Sequence, residues 1–320
     1  MPEISVVMGV YNECKEYICA AIDSVLNQTF SDFEFIIILD NPNNDEIRSL
    51  LEYYKDKDPR IKLIFNDVNL GLAKSLNKGI QRSVSPYIAR MDADDISCPN
   101  RFEMQYSYLQ KNVLCDVIAS NAIYIDENGN RLNKHYPVIN NREDFCNAIL
   151  YANMIMHPTV MFKKESVCQI GGYRDFKASQ DYDLWLRLIK NGAKFKIIEA
   201  PLLYYRIRSN SIGQSNAARQ RAHHLYAVYL YKNEISGKEL FSEQNRDAFF
   251  NKIQLGTKPD QERYNKALRL YYRAKEDLSK KRLFRGSLGI FRSFITHREI
   301  FRTFFEGIKY KKIINGCFKG

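Results

Sequence analysis

The sequence predicts an α/β fold with a mostly parallel central sheet, flanking helices and a further helical region at the C-terminus. Three observations predict it. Compact apolar runs at 4–10, 33–39, 61–65 and 87–91 alternate with segments of helical periodicity. Such alternation implies right-handed crossovers between parallel strands. From Ala217 onward the chain reads helical and carries no internal repeat.

The elements follow in order. Residues 4–10 are apolar enough to be buried on both faces of a sheet. Between Tyr17 and Gln28, Ile18, Ala21, Ile22, Val25 and Leu26 recur at helical spacing. A strand at 33–39, a helix at 47–54, a strand at 61–65, a helix at 72–80 and a strand at 87–91 follow. After Asp95 the alternation loosens. We expect a helix after Pro99, a hairpin formed by 117–125 with a turn at 127–130, and a turn at His157-Pro158 before a strand ending at Phe162. A helix from Tyr182 to Lys190 ends at Asn191-Gly192, and two short strands, 195–198 and 202–207, close the α/β part. The expected domains are 1–215 and 216–320.

Composition narrows the function classes. With 45% hydrophobic residues, 15 Gly and 9 Pro, collagen-like and disordered readings are excluded. The net charge of +11 sits in one place. Residues 261–320 hold 16 Lys/Arg against 5 Asp/Glu, and residues 1–260 are balanced. A uniformly basic nucleic-acid binder is not expected. The seven cysteines are scattered without a Cys-x-x-Cys pair, which argues for a reducing compartment. The N-terminus shows no basic segment leading into an apolar one, and no apolar stretch approaches the ~20 residues of a spanning helix. A cytoplasmic protein is expected, peripheral on the inner face of the plasma membrane where it touches a membrane.

In an open parallel sheet, ligands bind beyond the carboxyl ends of the strands. Four segments there carry polar chemistry. Asp92, Asp94 and Asp95 follow directly on a strand, and the alternation of extended chain turns Asp92 and Asp94 the same way. Paired carboxylate oxygens suit a divalent cation that also binds phosphates; a solvated turn with Asp95 capping a helix is the alternative. Asp40 ends the second strand, placed either to meet a base or ribose or to form an Asx turn. Asn69-Leu70-Gly71-Leu72 opens a helix containing Lys74 and Asn77. Its N–H groups are offered either to an anion or to a simple cap. Asp181 projects from the start of an apolar-faced helix, where it is either a general base or an N-cap; Asp183 reads as an ordinary first-turn acid.

Taken in order, Ser5-Val6-Val7-Met8-Gly9-Val10-Tyr11-Asn12-Glu13, Gln28-Thr29-Phe30, Asp40, Asn69-x-Gly71-Leu72, Asn77-x-Gly79, Arg90-Met91-Asp92-Ala93-Asp94-Asp95, His157-Pro158-Thr159, Gly171-Gly172-Tyr173 and Asp181-Tyr182-Asp183-Leu184-Trp185 resemble the family 2 glycosyltransferases of bacterial surface-polysaccharide clusters. The resemblance covers residues 3 to about 212. It implies the GT-A fold, a Rossmann-like, mostly parallel sheet. It also implies inverting transfer of a sugar from a nucleoside-diphosphate sugar, a UDP-sugar by expectation, to a glycan or polyprenyl-linked acceptor. Carried over, Tyr11 and Asn12 lie under the nucleotide, Asp40 meets the base, and Asn69, Gly71 and Asn77 flank the pocket. Arg90 and Asp92 lie against the donor, Asp94 with Asp92 holds Mn²⁺ or Mg²⁺, and Asp181 is the base.

The chain departs from the family pattern at three places. Leu39 stands where a second acid often precedes Asp40, and Gln180 where Glu often precedes the base. Tyr205-Arg206-Ile207-Arg208 replaces Tyr-Arg-x-His, so a guanidinium stands where relatives have an imidazole. The alternative that Gln180 and Arg208 leave open is an inactive nucleotide-sugar-binding subunit. Gln-x-x-Arg-Trp of processive relatives is absent, which favours single addition. In the tail, Phe301, Phe304, Phe305 and Ile308 form a helical stripe among Arg298, Arg302, Lys309 and Lys312. That stripe either meets an anionic membrane surface or packs on the protein.

Overall fold

The computed structural model describes residues 1–133, 138–139, 141–208, 217–235 and 239–317; the expected boundary near 215 lies outside them. The chain forms two compact units, Met1–Arg142 with Asn153–Ser209, and Glu143–Ala152 with Asn210–Gly320.

In the first unit, β1 (Ile4–Val10) and β2 (Phe33–Leu39) are buried almost throughout, as their unbroken apolar runs require. β3 (Ile61–Phe65), β4 (Tyr87–Asp92), β5 (Ile96–Ser97), β6 (Val117–Ile125), β7 (Met161–Lys163) and β8 (Phe195–Arg206) complete one eight-stranded sheet, ordered β3-β2-β1-β4-β7-β6-β8-β5. Pairing is parallel through β3-β2-β1-β4 and between β6 and β8; β7 runs antiparallel to both neighbours and β5 antiparallel to β8. Gly9 lies opposite Asp92, so the chain leaving β1 emerges beside the acidic loop.

Crossover helices α1 (Lys15–Leu26), α2 (Asp45–Lys57) and α3 (Leu72–Arg82) link the parallel strands. Asn44 caps α2 by accepting from the Ile47 N–H, and acids in its first turn oppose lysines in its last, in accord with the helix dipole. Helix α4 (Arg101–Lys111) brings a fully buried Arg101 under the sheet. Its Nη2 donates to the carbonyls of Arg90 (2.7 Å) and Val160 (3.1 Å), where β4 passes from parallel to antiparallel pairing. Burial, followed by the nearby Arg90, lowers the Arg101 pKa to about 9.

One expectation is met in part and another needs correction. After the turn at 127–130 the chain returns antiparallel for a short stretch, with the bridge Ile125–Arg131 and the Leu132 N–H donating to the Tyr124 carbonyl at 2.7 Å. β6 also pairs with β7 at Val117 and Ile118 and with β8 along most of its length. The turn is closed locally, with Asp126 accepting from the Asn128 and Asn130 N–H groups. The two expected short strands are one strand, β8. Ser120 faces Ile198 while Asn121 faces Pro201, so Glu199 and Ala200 bulge from it. Helices α5 (Arg142–Ala148) and α6 (Lys164–Gln169) were not expected; α7 is Gln180–Lys190.

The second unit is helical: α8 (Ala217–Asn233), α9 (Glu243–Lys252), α10 (Lys258–Ser279), α11 (Leu283–Thr296) and α12 (Arg298–Cys317). Tyr226 and Phe250 are buried in its core, and Arg221 pairs with Glu306 at 2.7 Å. No helix among the described residues is long and apolar enough to cross a membrane. The surface of α11 is unusual. Phe284 (83% exposed), Leu288 (38%), Phe291 (61%) and Ile295 (71%) line one face at i, i+4, i+7, i+11. Phe301, Phe305 and Ile308 of α12 are also exposed, and Phe301 and Phe304 both meet Phe294, with ring centroids 5.2 and 5.6 Å apart.

Candidate active site

The acidic loop after β4 brings three carboxylates together. Ligand oxygens of Asp92, Asp94 and Asp95 lie within 4.8 Å of one another. Asp95 is buried and caps no helix, since α4 begins only at Arg101. Its Oδ1 accepts from the Arg206 N–H at 2.8 Å, and Oδ2 is buried with no partner. Arg90, itself buried, pairs with Asp92, while Arg208 Nη2 lies 2.8 Å from Asp94 Oδ2. Burial, then the charge of Asp92, raises the Asp94 pKa to about 6 against the pull of Arg208. Asp95 is pushed well above the ordinary carboxylate range by burial and by Asp92 and Asp94. Hard oxygens gathered this closely, one of them orphaned, fit Mn²⁺ or Mg²⁺. Asp95 was not among the expected ligands, and because β4 ends at Asp92 a turn, not strand alternation, brings Asp94 beside Asp92.

The β1 and β2 ends bear the expected nucleotide-side residues. Tyr11 and Asn12 are exposed, and Asn12 Oδ1 accepts from Asn41 Nδ2 at 2.7 Å. Asp40 is buried and already engaged. Oδ1 accepts from Asn66 Nδ2 and the Leu70 N–H, and Oδ2 from the Gly71 N–H, each at 2.8 Å. The Gly71 N–H also donates to Asn69 Oδ1 at 3.0 Å. The expectation that Gly71 presents a free N–H to a ligand anion is thus corrected, because the carboxylate of Asp40 takes that place. Gly71 has φ of 83°, a left-handed conformation that favours glycine.

Asn77 is likewise occupied. Its amide accepts from the Tyr173 N–H and donates to the Tyr173 carbonyl, both at 2.8 Å, clasping the loop before α7. Gly172 has φ of +70°, and a Cβ there would lie 2.5 Å from Asn77 Oδ1, which accounts for the Gly-Gly-Tyr run. The Tyr173 hydroxyl meets His157 Nε2 at 2.7 Å, and burial holds this imidazole neutral, well below its usual pKa.

Helix α7 starts at Gln180 with Ser179 as its N-cap residue, so Asp181 stands in the first turn and is not the cap. Asn153 Nδ2 donates to its Oδ2 at 2.8 Å. Burial raises the Asp181 pKa, opposed by the Tyr182 N–H, Asn153 and Arg90. Asp183 is no ordinary surface acid; it is buried and receives Arg187 Nε at 2.8 Å. The Tyr205 hydroxyl pKa is raised by burial first, then by Asp95, Asp92, Asp94 and Asp181. Asn153, Tyr173 and Tyr205 escaped sequence reasoning. Tyr173 and Tyr205 lay inside recognised motifs, while nothing in the sequence marked Asn153.

The parallel sheet and acidic loop define a GT-A-like glycosyltransferase fold. The crystal structure of S. aureus TarS 1-349 in complex with UDP superposes with a TM-score of 0.58 over 99% of this chain and 92% of that one; identity is 12%, so the likeness concerns the fold. The profile of Glycosyl transferase family 2 matches residues 5–170, and the chain belongs to that family. An uncharacterized glycosyltransferase of Methanocaldococcus jannaschii is 39% identical over 240 residues, 75% of this chain and 82% of the relative. The O-antigen biosynthesis glycosyltransferase WbnJ of Escherichia coli is 37% identical over 218 residues, covering 67% and 84%.

Proposed function

We propose that this family 2 enzyme transfers a sugar with inversion from a UDP-sugar to a hydroxyl of a glycan or polyprenyl-linked acceptor during surface-polysaccharide synthesis. The observation that carries the reading is the acidic cluster at the end of β4, with the unpartnered buried oxygen of Asp95 within it. The naming of WbnJ for O-antigen biosynthesis supports the pathway class, and the UDP complex of the TarS fold supports the nucleotide.

In this reading Asp92 and Asp94, with the orphaned oxygen of Asp95, hold Mn²⁺ or Mg²⁺. When bound, the cation offsets charge developing on the diphosphate leaving group. Tyr11 and Asn12 meet the nucleotide. Asp40, Asn69, Gly71 and Asn77 shape the pocket by fixing the loops around it, and Arg90 orients Asp92. Asp181 takes the proton from the acceptor hydroxyl, and its raised pKa brings it closer to the working pH than an ordinary aspartate. Inversion requires the hydroxyl to attack opposite the leaving diphosphate. The test is transfer from a panel of UDP-sugars with and without Mn²⁺, reading the anomeric configuration of the product by NMR. Metal-dependent transfer with inverted configuration is expected; retention, or no turnover of any nucleotide sugar, sinks the reading. The latter would favour the inactive binding subunit.

We propose further that the second unit docks on an anionic membrane through the apolar faces of α11 and α12. Phe284, Phe291 and Ile295 stand exposed beside Arg285 and Arg292. Insertion of each large side chain is worth roughly 1.5–3 kcal/mol, and the positive charge of residues 261–320 adds attraction that salt screens. The triple variant Phe284→Ser/Phe291→Ser/Ile295→Ser should lose most binding to phosphatidylglycerol-containing vesicles in flotation assays. Transfer to a soluble acceptor should persist. Equal flotation of both proteins would refute the surface.

A further inference from the structure

Arg206 ends β8 and Arg208 lies two residues beyond it, yet the two are held very differently. The Arg206 guanidinium is fastened to main chain. Nε donates to the Asp94 carbonyl at 2.9 Å, Nη1 to the Asp126 and Glu127 carbonyls, and the group lies over the Tyr17 ring at 4.2 Å. Arg208 is about one-third exposed, and its guanidinium pairs with the carboxylate of Asp94.

Two guanidinium–carboxylate pairs close this corner without any ligand: Arg90 with Asp92, and Arg208 with Asp94. A divalent cation arriving alone must displace a guanidinium from Asp94. A diphosphate arriving alone finds that guanidinium engaged. Arriving together, the cation takes the Asp94 oxygen and the released guanidinium finds phosphate oxygens, which it matches in a bidentate fork. A guanidinium has no lone pair to give a metal, so Arg208 competes for the metal ligand and cannot join the coordination sphere.

We infer that Arg208 is a mobile counter-charge: it neutralises Asp94 until a divalent cation binds, then turns to the donor diphosphate, coupling the two binding events. The inference rests on the reading of the acidic loop as a metal-diphosphate site. By linkage, the factor by which UDP tightens metal binding equals the factor by which metal tightens UDP binding.

Calorimetric titration of the full chain with Mn²⁺ alone, and with UDP at saturating Mn²⁺, tests it. Arg208→Ala should bind Mn²⁺ alone roughly 2–5-fold more tightly, the range of a partly exposed ion pair. It should bind UDP at saturating Mn²⁺ roughly 10–100-fold more weakly, the range of charge-assisted hydrogen bonds. Arg208→Lys keeps a charge that can pair with Asp94 but not the fork. It should bind Mn²⁺ as the parent does and UDP more weakly. Thermal unfolding confirms that each variant is folded before titration. Unchanged or weaker Mn²⁺ binding in Arg208→Ala, or unchanged UDP binding, overturns the counter-charge. Absence of Mn²⁺ binding by the parent as well overturns the metal reading beneath it, so the two failures are distinct.

Discussion

Replacing Asp181 by asparagine should leave UDP binding intact and slow transfer by roughly 10²–10⁴-fold, the range of a lost general base. The amide preserves shape and can still meet Asn153, but it accepts no proton. The pH profile supplies a second reading. In the parent, burial raises the Asp181 pKa, so kcat/KM should fall as pH drops through a value above the ordinary aspartate range. The base works only when ionised, hence the loss lies on the acid side, and Asp181→Asn should erase that limb. A variant transferring sugar at near the parent rate would reduce Asp181 to a helix-end acid.

The second large effect concerns Asp94. Asp94→Asn should weaken Mn²⁺ binding by more than roughly 100-fold, beyond the 10–100-fold typical of losing an outer supporting contact. UDP affinity should then no longer respond to the metal. The fold should survive. The folded chain holds this carboxyl's proton up to about pH 6. Its ionisation therefore opposes folding as pH rises from the unfolded value, and the neutral amide escapes that cost. Equal UDP affinity with and without Mn²⁺ in the parent would remove Asp94 from the proposed role.

What was legible in the sequence was local or strongly periodic. β1 and β2 coincide with their apolar runs because parallel strands buried on both faces admit little else. Three aspartates directly after an apolar strand were visible as a run, although β4 ends at Asp92 and a turn, not strand alternation, places Asp94. Long-range partners were not legible. Asp40 and Asn77 are polar residues in motif positions, but their hydrogen bonds go to backbone 31 and 96 residues away, at Gly71 and Tyr173. The turn at Glu127-Asn128-Gly129-Asn130 was legible and does return the chain against Tyr124 and Ile125, but the pairing of β6 with β8, far along the chain, was not. In the C-terminal unit, charge and aromatic content were plain from composition. Which apolar residues stayed exposed was not, and α11 presents more of them than the stripe expected on α12.

The bond from the Arg206 N–H to Asp95 spans 111 residues, and it gives the site a history. During synthesis the three aspartates leave the ribosome long before the strand that shapes them. At about 5–20 residues per second, they wait roughly 6–20 s for Arg206. Until then Asp95 lacks its N–H donor and Asp94 lacks Arg208. Any fragment that stops before residue 206 carries all three aspartates without the N–H that donates to Asp95 and without the guanidinium that pairs with Asp94.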